Sequence, residues 1–297
     1  MRCKLTSVAE AASLVQSGDR LAVGGSLLRR QPLALCRELV RREVRDLTLV
    51  SWASSLATDL LVGAGCVTAW EGIYVGMWWQ GGAPNFRRAV ETGHIDVTDY
   101  SESYLTARFR AAAMGLPFLP VRPIRGTTWT ERDDIRTITD PYTGVELHTV
   151  PAATTASTIL HAYAGDEFGN IVWPVHRDSD DIDLLMGAAA NTLVVSVERV
   201  IPHSEVVRQP NLTYIPHTKV AAVCEAPFGA YPSSCDTVYD EDQAELAAWA
   251  QAGRADEDFA AYLERTISGP TDHAAYLDQV GRERLAALRV EATEGTR

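Results

Sequence analysis

Leu47 to Ser51, Thr192 to Val197 and Lys219 to Cys224 are short, nearly unbroken apolar runs rich in β-branched residues. A strand of this kind is apolar on both faces, so it belongs inside a parallel sheet with helices on each side. Segments of helical period lie between such runs. Ser7 to Gln16 carries Val8, Ala11, Ala12, Leu14 and Val15 and is ended by Gly18; a second segment carries Leu33, Leu35, Cys36, Leu39 and Val40; a third carries Leu56, Leu60 and Leu61. Further strands are expected at Asp19 to Gly25, Val67 to Trp70, Val145 to Val150, Ser157 to Ala162 and, after a turn at Gly165 to Asn170, Ile171 to Trp173. Strand and helix in alternation predict an α/β chain built on an open, mostly parallel, Rossmann-like sheet.

The 297 residues, 46 % of them apolar, are enough for one large α/β domain. We assign it to residues 1–290, with a helical wrap of three segments over 240–290 and a frayed tail at 291–297. Leu246, Trp249, Phe259, Tyr262, Tyr276, Leu277, Leu285 and Leu288 supply the apolar side of that wrap. With 27 basic and 39 acidic residues the formal charge is −12, which disfavours nucleic acid and anionic membranes as partners. The five cysteines are widely spaced, without a C-x-x-C pair, which argues for a reducing compartment and against structural zinc. No stretch approaches the roughly 20 apolar residues of a membrane span, and the start lacks the apolar core of a signal peptide. A cytoplasmic protein is expected.

Several stretches have the residue types of a binding site. Gly24-Gly25-Ser26 closes a strand and leads through Arg29-Arg30-Gln31-Pro32 into a helix. Such a turn can aim backbone N–H groups at a phosphate, carboxylate or thioester oxygen, or can simply be a tight corner with solvated arginines. The G-x-G-x-x-G fingerprint is missing, so a dinucleotide is not indicated. Arg37, Arg41, Arg42 and Arg45 read as the wet face of the following helix. The aromatics Tyr74, Trp78 and Trp79 lie on a glycine-flanked loop and are assigned to the core or to a subunit contact. Gly126 to Gly144 is a polar, exposed excursion. The acidic run Asp178 to Asp183 introduces an apolar helix and is read as complementing its dipole, not as a metal site. Strand ends at Glu198 and at Glu225-Ala226-Pro227, and the loop Phe228 to Cys235, lie where open α/β sheets bind ligands. His203 and His217 have no fixed Ser or Cys partner, so no triad is indicated.

Residues 99 to 122 hold the sharpest clue. Ser101 is placed to cap a helix running through Tyr104, Leu105, Phe109, Ala112 and Ala113, which puts Glu102 in its first turn. A carboxylate there complements the free N–H groups and the helix dipole. Gly115 stops the helix, and a short buried strand is expected between Pro117 and Pro120.

Taken together, the chain resembles the alpha subunit of glutaconate CoA-transferase, a family I CoA-transferase, over nearly its whole length. The pieces that carry the resemblance are Ser17-Gly18-Asp19 with Gly24-Gly25, Arg30 before Pro32, Asp46-Leu47-Thr48, Asp99-Tyr100-Ser101, Gly115 to Val121, Ala226-Pro227 with Gly229-Ala230, Pro232-Ser233 and Cys235, and Asp272-His273 with Tyr276-Leu277. The resemblance implies a sheet fold related to sugar-phosphate isomerases and partnership with a homologous beta subunit, in an α2β2 or larger assembly. It implies acyl-CoA and a carboxylic acid as substrates, with coenzyme A as substrate and no permanently bound cofactor. In those transferases a beta-subunit glutamate becomes a glutamyl-CoA thioester, and the Ser-Glu-Asn-Gly stretch that carries it is missing from this chain. The same family includes a two-subunit hydrolase of a steroid-derived ring and a methylglutaconyl-CoA decarboxylase. The hydrolase's catalytic glutamate matches Glu102, where glutaconate-type transferases have Gln.

The resemblance makes Glu102 the candidate catalytic residue. Gly24, Gly25, Ser26 and Gly126 are candidate substrate-binding residues through their backbone, and Arg30 and Arg125 are candidates to meet an anionic substrate end. A transferase is the first expectation, a hydrolase or lyase using Glu102 as base the second, and a non-catalytic acyl-CoA-binding homologue the third.

Overall fold

Strands that are apolar on both faces need cover on both faces, and the computed structural model supplies it. It describes residues 1–175 and 182–290; residues 176–181, which include most of the acidic run 178–183, and the expected tail, 291–297, lie outside the described residues. The strands are β1 (Leu5–Thr6), β2 (Arg20–Val23), β3 (Leu47–Ser54), β4 (Val67–Val75), β5 (Asp96–Asp99), β6 (Phe118–Val121), β7 (Arg136–Thr139), β8 (Glu146–Pro151), β9 (Thr155–Gly165), β10 (Ile171–Val172), β11 (Ala190–Val200), β12 (Thr213–Ile215) and β13 (Val220–Glu225). The helices are α1 (Val8–Ala12), α2 (Leu33–Arg41), α3 (Leu56–Gly63), α4 (Pro84–Glu91), α5 (Glu102–Ala113), α6 (Ile182–Ala189), α7 (His203–Arg208), α8 (Gln243–Ala252), α9 (Asp256–Leu263), α10 (His273–Val280) and α11 (Arg282–Leu288).

The central sheet runs β1-β13-β11-β9-β2-β3-β4-β5, every neighbouring pair parallel, with β10 added antiparallel beside β9 and β12 antiparallel beside β10. Alternate residues feed two apolar layers. Leu21, Val23, Leu49 and Ile159 pack under α1, α2, α3, α8 and α9, whereas Ala22, Val50 and Leu160 pack under α5 and α6. The expected α/β architecture is therefore present. Because the strands are parallel, their C-terminal ends share one edge, and the strand order reverses between β2 and β9.

Five expectations change. The strand after Gly115 is neither buried nor bracketed by its prolines: β6 includes Pro120 and belongs to a separate antiparallel sheet, β6-β8-β7, with Phe118 43 % exposed. Proline lacks an N–H for a ladder, which confines it to an edge strand such as this one. The polar excursion is exposed as expected, yet it contributes β7 to that sheet. Arg37 is not on a wet face. It is buried, stacked 4.2 Å over the Tyr276 ring and donating to the Tyr231 carbonyl, while Arg41 donates to the Ile267 and Pro270 carbonyls, because the C-terminal helices lie across α2. Those helices are four, not three, and Trp78 and Trp79, 56 % and 57 % exposed, are not in the core, which leaves the subunit-contact alternative of that expectation untouched.

One buried carboxylate fastens the helical wrap. Asp59, on α3, accepts hydrogen bonds from the Asn85 amide, the Phe86 N–H and the Trp249 indole, each at 2.8 Å, and so joins α3, α4 and α8. Burial pushes its carboxyl up from the usual range against the pull of those donors. Asp59→Ala would strand three buried donors, and we expect it to cost about 2–4 kcal/mol of stability in urea denaturation. A loss under about 0.5 kcal/mol would show that α8 is held by its apolar face alone.

Candidate active site

Glu102 sits where the sequence places it. Ser101 caps α5 with its hydroxyl accepting from the Tyr104 N–H, Glu102 is the first helical residue, and Gly115 ends the segment in the left-handed conformation. The turn before it is fixed from behind. The Tyr100 N–H donates to the Gly72 carbonyl, its hydroxyl donates to Asp134, and its ring lies between the Arg108 and Arg132 guanidinium groups at 4.2 and 4.4 Å. Glu102 is exposed and faces an open cleft of about 610 Å³ lined by Ser101, Ser103, Thr106, Arg110 and the β6 residues Leu119, Pro120 and Val121.

Beside this cleft runs the loop with Arg125 and Gly126. Its start is tied down by Tyr104, a buried residue that sequence reasoning placed only in the core. The Tyr104 hydroxyl accepts from the Ile124 N–H at 3.0 Å and meets His148 Nδ1 at 2.8 Å and the Arg122 carbonyl at 3.4 Å. Arg125 points to solvent, 77 % exposed and 3.8 Å from Glu146, and Gly126 has φ +75° on the surface. Neither lines the Glu102 cleft, nor do Gly24, Gly25, Ser26 and Arg30.

The glycine turn forms a second, inner centre at the point of strand reversal. The Gly25 N–H donates to Asp183 Oδ1 at 2.8 Å, and a Cβ on Gly24 would lie 2.7 Å from that oxygen and 2.2 Å from Leu160, so the turn is shaped around the α6 carboxylate. Ser26 is buried and bonded to Arg29 through the backbone. Arg30 is 0 % exposed. Its guanidinium lies 2.9 Å from Asp236 and 3.5 Å from Asp183, with the Tyr163 and Trp173 rings at 5.8 and 5.9 Å. Thus Gly25 and Arg30 do come together, through an internal anion, and Arg30 is sealed from solvent.

A third polar group was not foreseen as a unit. Glu198, at the end of β11, receives the Phe228 N–H at 2.9 Å, the Gly229 N–H at 3.2 Å and the Tyr239 hydroxyl at 2.9 Å, and its Oε1 is 2.7 Å from His161 Nε2. His161 Nδ1 in turn meets Ser196 at 2.9 Å, and a Cβ on Gly229 would strike the imidazole. The expected nearness of the 228–235 loop to this strand end is therefore realised. His161, Glu198 and Cys235 have the atoms of a metal site within 4.8 Å. Yet the carboxylate oxygens and both imidazole nitrogens are engaged by the protein, which makes the group an internal clamp. Burial alone would raise the Glu198 carboxyl; His161, Phe228 and Tyr239 outweigh it and hold it below the usual range. A charged residue inside an otherwise β-branched strand was the available signal, since such a charge must find partners.

Comparison with known proteins agrees with this architecture. Residues 5–226 match the coenzyme A transferase family profile. The alpha subunit of glutaconate CoA-transferase from Acidaminococcus fermentans is 32 % identical over 94 % of this chain and 92 % of its own length. The crystal structure of that enzyme superposes with a TM-score of 0.92 at 30 % identity, covering 97 % of this chain and 96 % of that one. The cholesterol ring-cleaving hydrolase IpdA subunit of Rhodococcus jostii is 32 % identical over 91 % of this chain and 94 % of its own. An uncharacterised Archaeoglobus fulgidus protein is 34 % identical over 97 % of this chain, which spans only 65 % of that longer relative.

Two outcomes follow from the geometry. In Tyr104→Phe the Ile124 amide loses its acceptor, and its hydrogen exchange should speed up by about tenfold or more while the α5 amides stay protected. Unchanged Ile124 exchange would show that the loop is held otherwise. Because the folded Glu198 carboxyl is depressed, its stabilisation is in place above the unfolded value of about 4.3 and is lost as pH falls through the lower folded value. Glu198→Gln should therefore cost about 3 kcal/mol at pH 7 and flatten the loss of stability below about pH 4, measured by denaturant titration across pH.

Proposed function

We propose that this chain, which belongs to the coenzyme A transferase family, is the alpha-type half of a two-subunit enzyme that moves coenzyme A between carboxylic acids, with Glu102 in the cleft that the two halves share. The observation that carries this reading is collinear similarity to the alpha subunit of glutaconate CoA-transferase across nearly the full length of both chains. The partner is a homologous beta-type chain, and the cytoplasm is the compartment in which the buried thiols stay reduced.

In this reading the nucleophile is a carboxylate of the partner. It attacks the thioester carbonyl, the C–S bond breaks, and coenzyme A leaves as thiolate while a mixed anhydride forms; the thiolate then attacks the anhydride at the carboxylate's own carbonyl and frees the acid. The acceptor acid reverses these steps. Both tetrahedral intermediates need N–H or hydroxyl donors at the developing oxyanion. Here the Gly25 N–H is held by Asp183, whereas the Ser101 and Ser103 hydroxyls border the open cleft. We therefore assign this chain's contribution to the α5 start instead of the glycine turn. Glu102, at the positive end of the helix, orients the acyl end there.

A hydrolase reading is favoured by one feature, the carboxylate at 102 combined with similarity to the ring-cleaving hydrolase subunit. The two readings part in one experiment. The complex with its partner is given acyl-CoA and an acceptor acid, and free and exchanged coenzyme A are followed by mass spectrometry for wild type and Glu102→Gln. We expect transfer to persist within about tenfold in the variant. A fall of about a hundredfold or more, with water as the acceptor in wild type, would make Glu102 a general base and the enzyme a hydrolase.

A further inference from the structure

The turn that begins α5 stands between two open clefts. Ser101, Glu102 and Ser103 line the cleft on one side, and on the other side Thr98, Tyr100 and Arg132 line a second cleft of about 580 Å³. A wall this thin cannot be held by apolar burial alone, so polar contacts must fix it.

Those contacts come from the polar excursion. Its Arg132 guanidinium donates to the Asp99 carbonyl, lies 4.4 Å over the Tyr100 ring and forks onto Asp134 at 2.7 and 2.9 Å. Asp134 also accepts from the Tyr100 hydroxyl at 2.7 Å, and the Trp129 indole donates to the Asp99 carboxylate at 3.2 Å. Burial, against the pull of Arg108, pushes the Tyr100 hydroxyl up to about 12, so it stays a donor at neutral pH. The other face of the Tyr100 ring rests on Arg108, itself paired with Glu71.

Both residues before the helix cap are thus gripped by one surface segment. A guanidinium that only balanced Asp134 would need neither the Tyr100 ring nor the Asp99 carbonyl. Ser101 follows Tyr100 directly, and its hydroxyl lies 3.2 Å from that of Ser103, so a swing of the turn moves both groups.

We propose that Arg132 is a positioning residue: from outside the Glu102 cleft it sets the direction in which α5 starts, and through that the places of the Ser101 and Ser103 hydroxyls. Donors to an oxyanion lose much of their effect when displaced by about 1 Å. This inference rests on the reading that the α5 start serves the reaction.

The test combines two measurements on the complex of the full chain with its partner. Hydrogen exchange is read without turnover. The Tyr100 N–H is bonded to Gly72, and the Tyr104 and Leu105 N–H groups to Ser101. In Arg132→Gln these three amides should exchange about tenfold faster or more, while those of Phe109 to Ala113 stay protected. In coenzyme A transfer, Arg132→Gln should lower kcat by about 10- to 100-fold with KM within about twofold, and Arg132→Lys, which keeps the charge without the planar fork, should fall between. Adding Ser103→Ala to Arg132→Gln should lower kcat by less than Ser103→Ala does in wild type, because the hydroxyl is already out of place. A contact that only stabilises the fold would shift the denaturation midpoint but leave kcat per folded complex and the Ser103 step unchanged, and that result, or unchanged exchange, would overturn the inference. Faster exchange in Arg132→Gln, in a complex whose wild type turns over no acyl-CoA, would uphold the grip on the turn and overturn the transferase reading instead.

Discussion

A carboxylate taken out of water must be met by donors, and at Glu198 that requirement organises much of the molecule. The strand around it contributes apolar packing, so the partners come from elsewhere: an imidazole on β9, two N–H groups from the turn after β13 and a hydroxyl from Tyr239. Satisfying one charge therefore pins the loop after β13 to the strands before it. That loop then presents Tyr231 to Asp242, the residue that caps α8, and the wrap follows. The same logic recurs at Asp59 and at Asp183. In each case a buried carboxyl group from one element is answered by groups from others, and the helices are thereby fastened to the edge of the sheet.

The regular parts of this fold were legible because local rules and burial agree there. The cap at Ser101, the stop at Gly115, and the unbroken runs that became β3, β11 and β13 each follow from a residue's own chemistry. The small antiparallel sheet was not legible: β7 is short and polar, and its pairing with β8 depends on a contact that no period records. Arg37 was misjudged for a related reason. Its helix face is wet by pattern, and only the returning C-terminal helices, far away in sequence, make it an interior residue stacked on Tyr276.

The candidate site divides along the same line. The place of Glu102 in the first turn of α5 was legible because a helix start advertises itself, while its candidate role came from the resemblance; Tyr104 and the Glu198 clamp were missed because their contacts lie in side-chain hydroxyls and strand partners. Arg30 carried the right chemistry for an anion and met one, supplied by the protein itself. What remains open to solvent is the groove along α5, with its charges at opposite ends.

Those aromatics also give the chain an optical property. Of seven tryptophans, Trp70, Trp173 and Trp249 are buried and Trp52 and Trp129 are half-buried, while Trp78 and Trp79 stand next to one another in water at the edge of the sheet. Indoles in water emit at longer wavelengths than indoles in an apolar interior, so the red side of the protein's emission comes disproportionately from this one turn. A molecule that covered this turn would be registered in the natural fluorescence without a label.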